Sequence, residues 1–140
     1  MRVMMMIKGD REPGHRPGGE LLAAMANYNE ELSKAGVLLD LSALHWSAEG
    51  VRVKFSGGKR TVIDGPFGEA KEIVAGYWIL QVKSMDEAIE WAKRLPFEAG
   101  GEPEAEGEIE IRPLFELDEF GESPAIEQAR ELENELQKKK

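Results

Sequence analysis

The first predicted strand of this sequence is apolar on both faces, which constrains the fold more than any other feature. Residues 2–8 alternate so that Val3, Met5 and Ile7 point to one side and Met4 and Met6 to the other. The segment from Ile73 to Lys83 is also apolar on both sides. Strands of this kind need a covering layer on each face of their sheet. A chain of 140 residues has no third layer of its own, so we expect a second copy to cover the free face.

The remaining segments alternate between strand and helix patterns. Apolar residues at helical spacing predict a helix over residues 20–35, and Ser84 with Glu87 forms a capping box that starts a second helix. Further strands are predicted over residues 37–44, 51–55, 61–63 and 108–114, with an acidic loop from Gly100 to Gly107 before the last. This order predicts an α+β fold: a ferredoxin-like β-α-β-β-α-β sandwich with extra hairpin strands and both helices on one sheet face.

The chain divides into a domain over residues 1–117 and an acidic helical tail over residues 118–140. Residues 115–140 contain eight acidic and four basic side chains. A narrow apolar stripe runs along the tail through Ile126, Ala129, Leu132 and Leu136. An isolated helix of this length is marginal in water, so we expect the stripe to dock on the domain or on a partner subunit.

Composition excludes several classes of function. The chain has no cysteine, which rules out disulfide scaffolds, cysteine-ligated zinc and thiolate catalysis. Its net charge of −9 and the absence of a basic stripe argue against direct nucleic-acid binding. No segment has the length of a membrane span and the N-terminus lacks a signal-peptide pattern, so we expect a cytoplasmic protein without membrane contact. No metal-ligand spacing or cofactor motif is present, and we expect neither group.

The segment Asp64-Gly65-Pro66-Phe67 is the most distinctive motif. One interpretation is a tight turn in which the aspartate binds its own backbone. The other is a carboxylate displayed at a strand end as a general base. Composition alone does not separate the two.

Longer stretches around this motif resemble a known family. They are "VIDGPFGEAKEIVAGYWILQV", "DEAIEWAKRLP" and "IEIRPLFE", together with "MRVMMMIKGD" and "YNEELSKAGVLL". In this order they resemble the DGPF, or YCII-related, family over about residues 1–117. The resemblance implies a dimeric α/β barrel. It also implies an Asp–His active site of the kind proposed for distant YCII-like relatives, and a genomic association with sigma factors.

The resemblance makes Asp64 the candidate catalytic base, with His45 as its preferred partner because "LHW" is similar to the "LHP" of close relatives. His15 is expected to be solvated. We expect Lys71, Glu110 and Arg112 to bind a small anionic or aromatic molecule in a cavity at a homodimer interface. For each of these residues, an ordinary strand-end histidine or a solvated ion pair is the alternative. The alternative function is a non-catalytic ligand-binding or protein-interaction module, associated with a sigma factor in transcription regulation.

Overall fold

A computed structural model describes residues 1–99 and 107–139 of the chain. Within those residues the strands are β1 (Arg2–Lys8), β2 (Leu38–Ala43), β3 (Val51–Ser56), β4 (Lys59–Asp64), β5 (Val74–Gln81) and β6 (Glu108–Pro113). The helices are α1 (Gly19–Lys34), α2 (Met85–Lys93) and α3 (Pro124–Lys138). Short 3₁₀ turns lie between β2 and β3 (Ser47–Glu49), between β4 and β5 (Ala70–Glu72) and between β6 and α3 (Leu117–Phe120). The acidic loop predicted from Gly100 lies outside the described residues as far as residue 106.

Four of the strands form one antiparallel sheet in the order β2-β5-β1-β6. The two central strands, β1 and β5, are the segments whose apolar pattern is two-sided. Met5 pairs with Trp78 of β5 and with Ile111 of β6, so these three side chains share a face. The order of strands and helices confirms the α+β, ferredoxin-like prediction, with β3 and β4 as the extra hairpin.

Both domain helices cover the same face of this sheet. Val3, Met5 and Leu80 are fully buried there, packed with Leu32 of α1 and Ala88 of α2. The α2 helix begins as predicted, because the Ser84 side chain accepts a hydrogen bond from the Glu87 N–H. At the C-terminal end of α1, Gly36 has a φ of 75°, a left-handed conformation that glycine adopts without strain.

The opposite face of the sheet is not covered by α1 or α2. Met4 pairs with Ile79 and Met6 pairs with Tyr77, which places these four apolar side chains on it. Met6 is 9% exposed and the other three are half-buried. This is the face for which the sequence predicts a second copy of the chain, and that pairing stays a prediction.

The β3–β4 hairpin forms a separate two-stranded sheet. Its side chains are exposed along both strands. The α3 helix is also exposed over most of its length: Ile126 and Ala129 are half-buried, but Leu132 and Leu136 are each more than half exposed. Within one chain, the distal part of the predicted stripe therefore does not dock. The division at residue 117 stays a prediction.

Candidate functional site

The Asp64–Phe67 turn lies against the 3₁₀ turn Ser47–Glu49. The Gly65 N–H donates a hydrogen bond to the Gly50 carbonyl at 2.9 Å. A Cβ atom at Gly65 would lie 1.7 Å from the Ser47 carbonyl oxygen, a distance that no side chain can occupy. Glycine is therefore required at position 65 by the close approach of two backbone segments.

Ser47 connects this turn to the end of β1. It is 6% exposed, and its hydroxyl donates a hydrogen bond to the Asp10 carboxylate. The Ser47 N–H donates to the same carboxylate at 2.9 Å, and the Ser47 Oγ accepts from the Phe67 N–H at 3.1 Å. These contacts form an Asp10–Ser47–Phe67 hydrogen-bond chain that joins three loops.

The hydrogen bonds of the Asp10–Ser47–Phe67 chain favour the charged form of the Asp10 carboxylate. Burial alone would raise the pKa of Asp10, but the hydrogen bonds from Ser47 and from the Arg11 N–H outweigh burial and lower the pKa below its usual value. A carboxylate with a lowered pKa is a poor proton acceptor at neutral pH. We therefore assign Asp10 to holding the loops together.

A cleft of about 450 Å³ opens beside Ser47 and Phe67 of the Asp10–Ser47–Phe67 hydrogen-bond chain, and we call it the His45 cleft. Its lining is mostly apolar and includes the side chains of His45, Glu49, Arg52 and Glu72. The lining residues are Leu44, His45, Trp46, Ser47, Glu49, Gly50, Arg52, Phe67, Glu72, Ile73 and Val74. The segment after β2, the start of β3 and the start of β5 thus meet around one small volume.

Two charged groups of the cleft have defined geometry. The Nδ1 atom of His45 lies 2.7 Å from the Glu49 carboxylate, an ion pair when the imidazole is protonated. The Arg52 guanidinium lies over the Phe67 ring, 4.0 Å from its centroid, a cation–π contact. Among the described residues Arg52 makes no ion pair.

A second cleft of about 640 Å³ lies beside the loop that follows β1. Asp10, Glu12, His15 and Pro66 are among its lining residues. The His15 backbone carbonyl accepts a hydrogen bond from the Trp46 indole N–H at 3.0 Å, and the two rings are in edge contact. His15 is exposed, as its sequence context predicts.

The residues predicted to form the site are dispersed. Asp64 is exposed, and its carboxylate makes no hydrogen bond or ion pair with any described residue. In the hairpin register Val51 pairs with Asp64 and Arg52 pairs with Ile63, so the Asp64 and Arg52 side chains point to opposite faces. Asp64 lines neither cleft. No direct hydrogen bond joins it to His45, and a water-bridged pair stays a prediction.

The other three predicted residues lie elsewhere. Lys71 is exposed on the 3₁₀ turn Ala70–Glu72. Arg112 is exposed on β6. Glu110, on the same strand, is half-buried and contacts the Lys8 ammonium at 3.4 Å instead of Arg112. Of the predicted residues, His45 alone lines a described cleft, and ligand binding by Lys71, Glu110 and Arg112 stays a prediction.

Sequence reasoning missed Asp10, Ser47, Glu49 and Arg52. Glu49 could have been found, because it lies four residues after His45 and a short turn brings such residues together. Ser47 and Asp10 are 37 residues apart, and no spacing rule connects them. Within residues 1–99 and 107–139, no three histidine, aspartate or glutamate side chains are grouped as metal ligands. The helices in that part of the chain are too short or too polar to cross a membrane.

Comparisons with known proteins agree with the family resemblance of the segments around Asp64–Phe67. A family model described as "YCII-related domain" matches residues 1–118. An uncharacterised protein of Rhizobium meliloti is 32% identical over 104 residues, which cover 74% of this chain and 77% of that protein.

A solved structure is also similar in part. It is the 5-chloro-2-hydroxyhydroquinone dehydrochlorinase of Burkholderia phenoliruptrix in complex with 2,5-dihydroxybenzoquinone, at 15% identity. The match covers 79% of this chain and 91% of that one, with a TM-score of 0.32. Similarity at that score supports no argument about ligand or activity.

Proposed function

From the premise that the chain belongs to the YCII-related family, we propose that it binds a small aromatic anion in the His45 cleft and transfers a proton there. One observation carries the proposal: the His45–Glu49 pair and Arg52 line the same, mostly apolar cleft. Apolar clefts with a few convergent polar groups are the usual form of a small-molecule site.

The lining chemistry favours an aromatic ring that carries a negative charge. Leu44, Phe67 and Ile73 offer apolar and aromatic surface. Arg52 has no carboxylate partner among the described residues, so its planar guanidinium is available to a bound carboxylate. Glu49 and Glu72, which also line the cleft, disfavour a ligand with several negative charges.

The proposed proton acceptor is His45. The contact of its Nδ1 atom with Glu49 fixes one ring nitrogen, and Nε2 has no hydrogen-bond partner among the described residues, which leaves it available to a ligand. Imidazole is the commonest general acid–base group in enzymes, and an orienting carboxylate is its usual partner. Glu49 would then be a positioning residue. Asp64, with Lys71 nearby in sequence, is the alternative base; because it lines neither cleft, it would act outside the His45 cleft.

We also propose that two copies pair through the sheet face opposite α1 and α2. Met4, Met6, Tyr77 and Ile79 form its apolar centre. Glu110, Arg112 and Lys8 lie beside them on the β6 side, where they would border the shared cavity. Ile79→Glu would place a charge in this centre. It should convert a dimer to a monomer in sedimentation at micromolar concentration.

Benzoate is the probe for the cleft, because it combines one ring with one carboxylate. Titrated into ¹⁵N-labelled protein, it should shift backbone amide signals of residues 44–52 and 67–74. Arg52→Gln should weaken binding roughly tenfold or more, the value of a charged hydrogen bond of ~1.5–3 kcal/mol. Arg60→Gln is the matched control, because Arg60 also lies over a phenylalanine ring but lines neither cleft. Equal effects of the two variants, or shifts elsewhere, would contradict the site.

Phenylpyruvate tests the chemistry, since it is an aromatic anion with exchangeable C3 protons. A base in the cleft removes one C3 proton to give the enolate, which takes up deuterium from D₂O. We expect the protein to accelerate this exchange and His45→Gln to abolish the acceleration, with Asp64→Asn unchanged. Loss in Asp64→Asn alone would assign the base to Asp64. Benzoate binding without any acceleration would leave a non-catalytic binder as the function.

A protein-interaction module is the second candidate function. The exposed apolar residues of the β3–β4 hairpin favour it, because Phe55 and Val62 are each more than 60% exposed. A sigma factor is the partner implied by the family resemblance. Co-purification of a purified sigma factor with the wild-type chain, lost in Phe55→Ser, would support this candidate.

A further inference from the structure

The β3–β4 hairpin presents an apolar face to solvent. The strand register places Val51, Val53 and Phe55 of β3 on one face together with Val62 of β4, and each is between 49% and 69% exposed. A two-stranded hairpin is marginally stable in water unless its apolar face packs against another element. This face therefore has the character of a contact surface.

The same face carries one charge at each end. Arg60 pairs with Phe55 and its guanidinium lies 5.1 Å from the centre of that ring, whereas Asp64 pairs with Val51 at the other end. Arg60 and Asp64 are four positions apart on β4, roughly 13 Å, which is too far for an ion pair within the strand. In the part of the chain that the structure describes, neither forms an ion pair with another residue. The face is neutral overall, and each of its two charges lacks an opposite one.

The remaining basic side chains of the hairpin lie on its other face. Arg52, Lys54 and Lys59 alternate with the residues of the apolar face, so they point away from it. Arg52 is held there against the Phe67 ring. Residues 51–64 contain four basic side chains and one acidic one, a net charge of +3, but a partner on the apolar face meets only one charge of each sign. The apolar face therefore favours a partner with the same neutral pattern over an acidic one.

A second copy of the hairpin has that pattern. The two apolar faces pack when a two-fold axis lies between them, perpendicular to the strands. This axis reverses the strand direction, so the Val53–Val62 pair of each copy meets its counterpart at the centre. The Arg60 end of one hairpin then lies over the Asp64 end of the other, and the symmetry repeats the ion pair. An axis parallel to the strands would place Asp64 over the partner's Val51 and leave its carboxylate without a cation.

We propose that the β3–β4 hairpins of two copies pack through this face, with their apolar side chains interleaved and Arg60 of each copy paired with the partner's Asp64. The hairpin acquires the covering layer that it lacks alone. Asp64, the charged residue of the Asp64–Phe67 turn, becomes an anchor for a second copy. The contact uses neither the His45 cleft nor the sheet face around Ile79.

Complementary charge reversal tests the contact. The host is the full-length chain with Ile79→Glu, which we expect to be monomeric at micromolar concentration. Four apolar side chains per copy make a small interface, so we expect the hairpins to associate at about 0.1–1 mM. In ¹⁵N-labelled protein, the backbone amide signals of residues 51–64 should shift over this concentration range.

Arg60→Glu and Asp64→Lys should each weaken this association roughly tenfold, because each replaces two attractive pairs by two repulsive ones. An equimolar mixture of the two variants places opposite charges together again at both pairs, so it should recover the shifts. Lys59→Glu is the matched control, since it makes the same change of charge on the other face of the hairpin and should leave the association unchanged. A mixture that associates no better than either variant alone would overturn the proposal. An equal loss in Lys59→Glu, or concentration-dependent shifts that exclude residues 51–64, would also overturn it.

Cross-linking in the chain without Ile79→Glu gives a second readout, because the chain has no native cysteine. Arg60→Cys in one tagged chain and Asp64→Cys in a differently tagged chain would face each other across packed strands about 10 Å apart, within reach of a short bismaleimide. We expect a mixed product at least tenfold faster than from Thr61→Cys with Ile63→Cys, which lie on the other face. Equal rates would reject the hairpin contact. Failure of the cleft or of the sheet pairing is observed separately, in the benzoate titration and in the sedimentation of Ile79→Glu.

Discussion

Replacing Ser47 with alanine tests the Asp10–Ser47–Phe67 hydrogen-bond chain. The substitution removes the hydroxyl donated to the Asp10 carboxylate and the acceptor of the Phe67 N–H. A hydrogen bond to a charged group contributes ~1.5–3 kcal/mol and a neutral one ~0.5–1.5 kcal/mol. We expect the free energy of unfolding at pH 7 to fall by roughly 2–4 kcal/mol, or about 6–12 °C in Tm for a chain of this size.

The loss should depend on pH with a defined sign. The pKa of Asp10 is lower in the folded chain than its usual value, so its ionisation stabilises the fold above about pH 4. That contribution is lost as the pH falls through the folded pKa. The difference between wild type and Ser47→Ala should therefore shrink on acidification from pH 7 toward pH 3.

Urea unfolding followed by tryptophan fluorescence measures both quantities, because Trp78 is buried in the core. Ser56→Ala is the matched control: Ser56 is exposed at the end of β3, and its loss should cost less than ~0.5 kcal/mol. A loss below that value in Ser47→Ala, or one that stays constant between pH 7 and pH 3, would refute the reasoning.

Three further predictions follow from other contacts. Gly65→Ala should cost roughly 3 kcal/mol or more because its Cβ would overlap a backbone carbonyl, while Gly9→Ala, with open space around it, should be nearly neutral; thermal unfolding of both variants checks this. Tyr28→Phe should lose about 1 kcal/mol in urea unfolding, since the hydroxyl donates to the Trp91 carbonyl at 2.7 Å. Burial raises the pKa of Tyr28, so wild-type stability should fall above about pH 10, less so in the variant. Deleting residues 118–140 should lower Tm modestly by calorimetry without unfolding the domain; an unchanged Tm would show that the tail contributes no packing.

The elements were predictable because each has a local pattern. The two-sided strands, the capping box at Ser84 and the alternation over residues 108–114 each predict the element that is observed. The Gly57-Gly58 pair likewise predicts the β3–β4 hairpin, because tight hairpin turns require positive φ and glycine adopts it readily. Both glycines have positive φ in the structure. These signals depend on neighbours within a few residues, which the sequence alone provides.

The candidate site was less predictable because it depends on register and on contacts between distant segments. The Asp64 side chain is directed away from Arg52 by the pairing of Val51 with Asp64, which no motif specifies. Ser47 has no distinctive sequence context, yet it joins the end of β1 to the Asp64–Phe67 turn. The motif drew attention to Asp64, whereas the residues of the motif that contact the Ser47–Glu49 turn and its flanks are Gly65 and Phe67.

The central claim is that an aromatic carboxylate occupies the His45 cleft, and crystals grown with 4-bromobenzoate test it most directly. The anomalous scattering of bromine locates the ring independently of the refined chain. We predict a peak among Leu44, Phe67 and Ile73, with the carboxylate within hydrogen-bonding distance of the Arg52 guanidinium. A peak in the cleft beside Asp10 and Pro66 instead, or no peak at a concentration that saturates the NMR titration, would contradict the account.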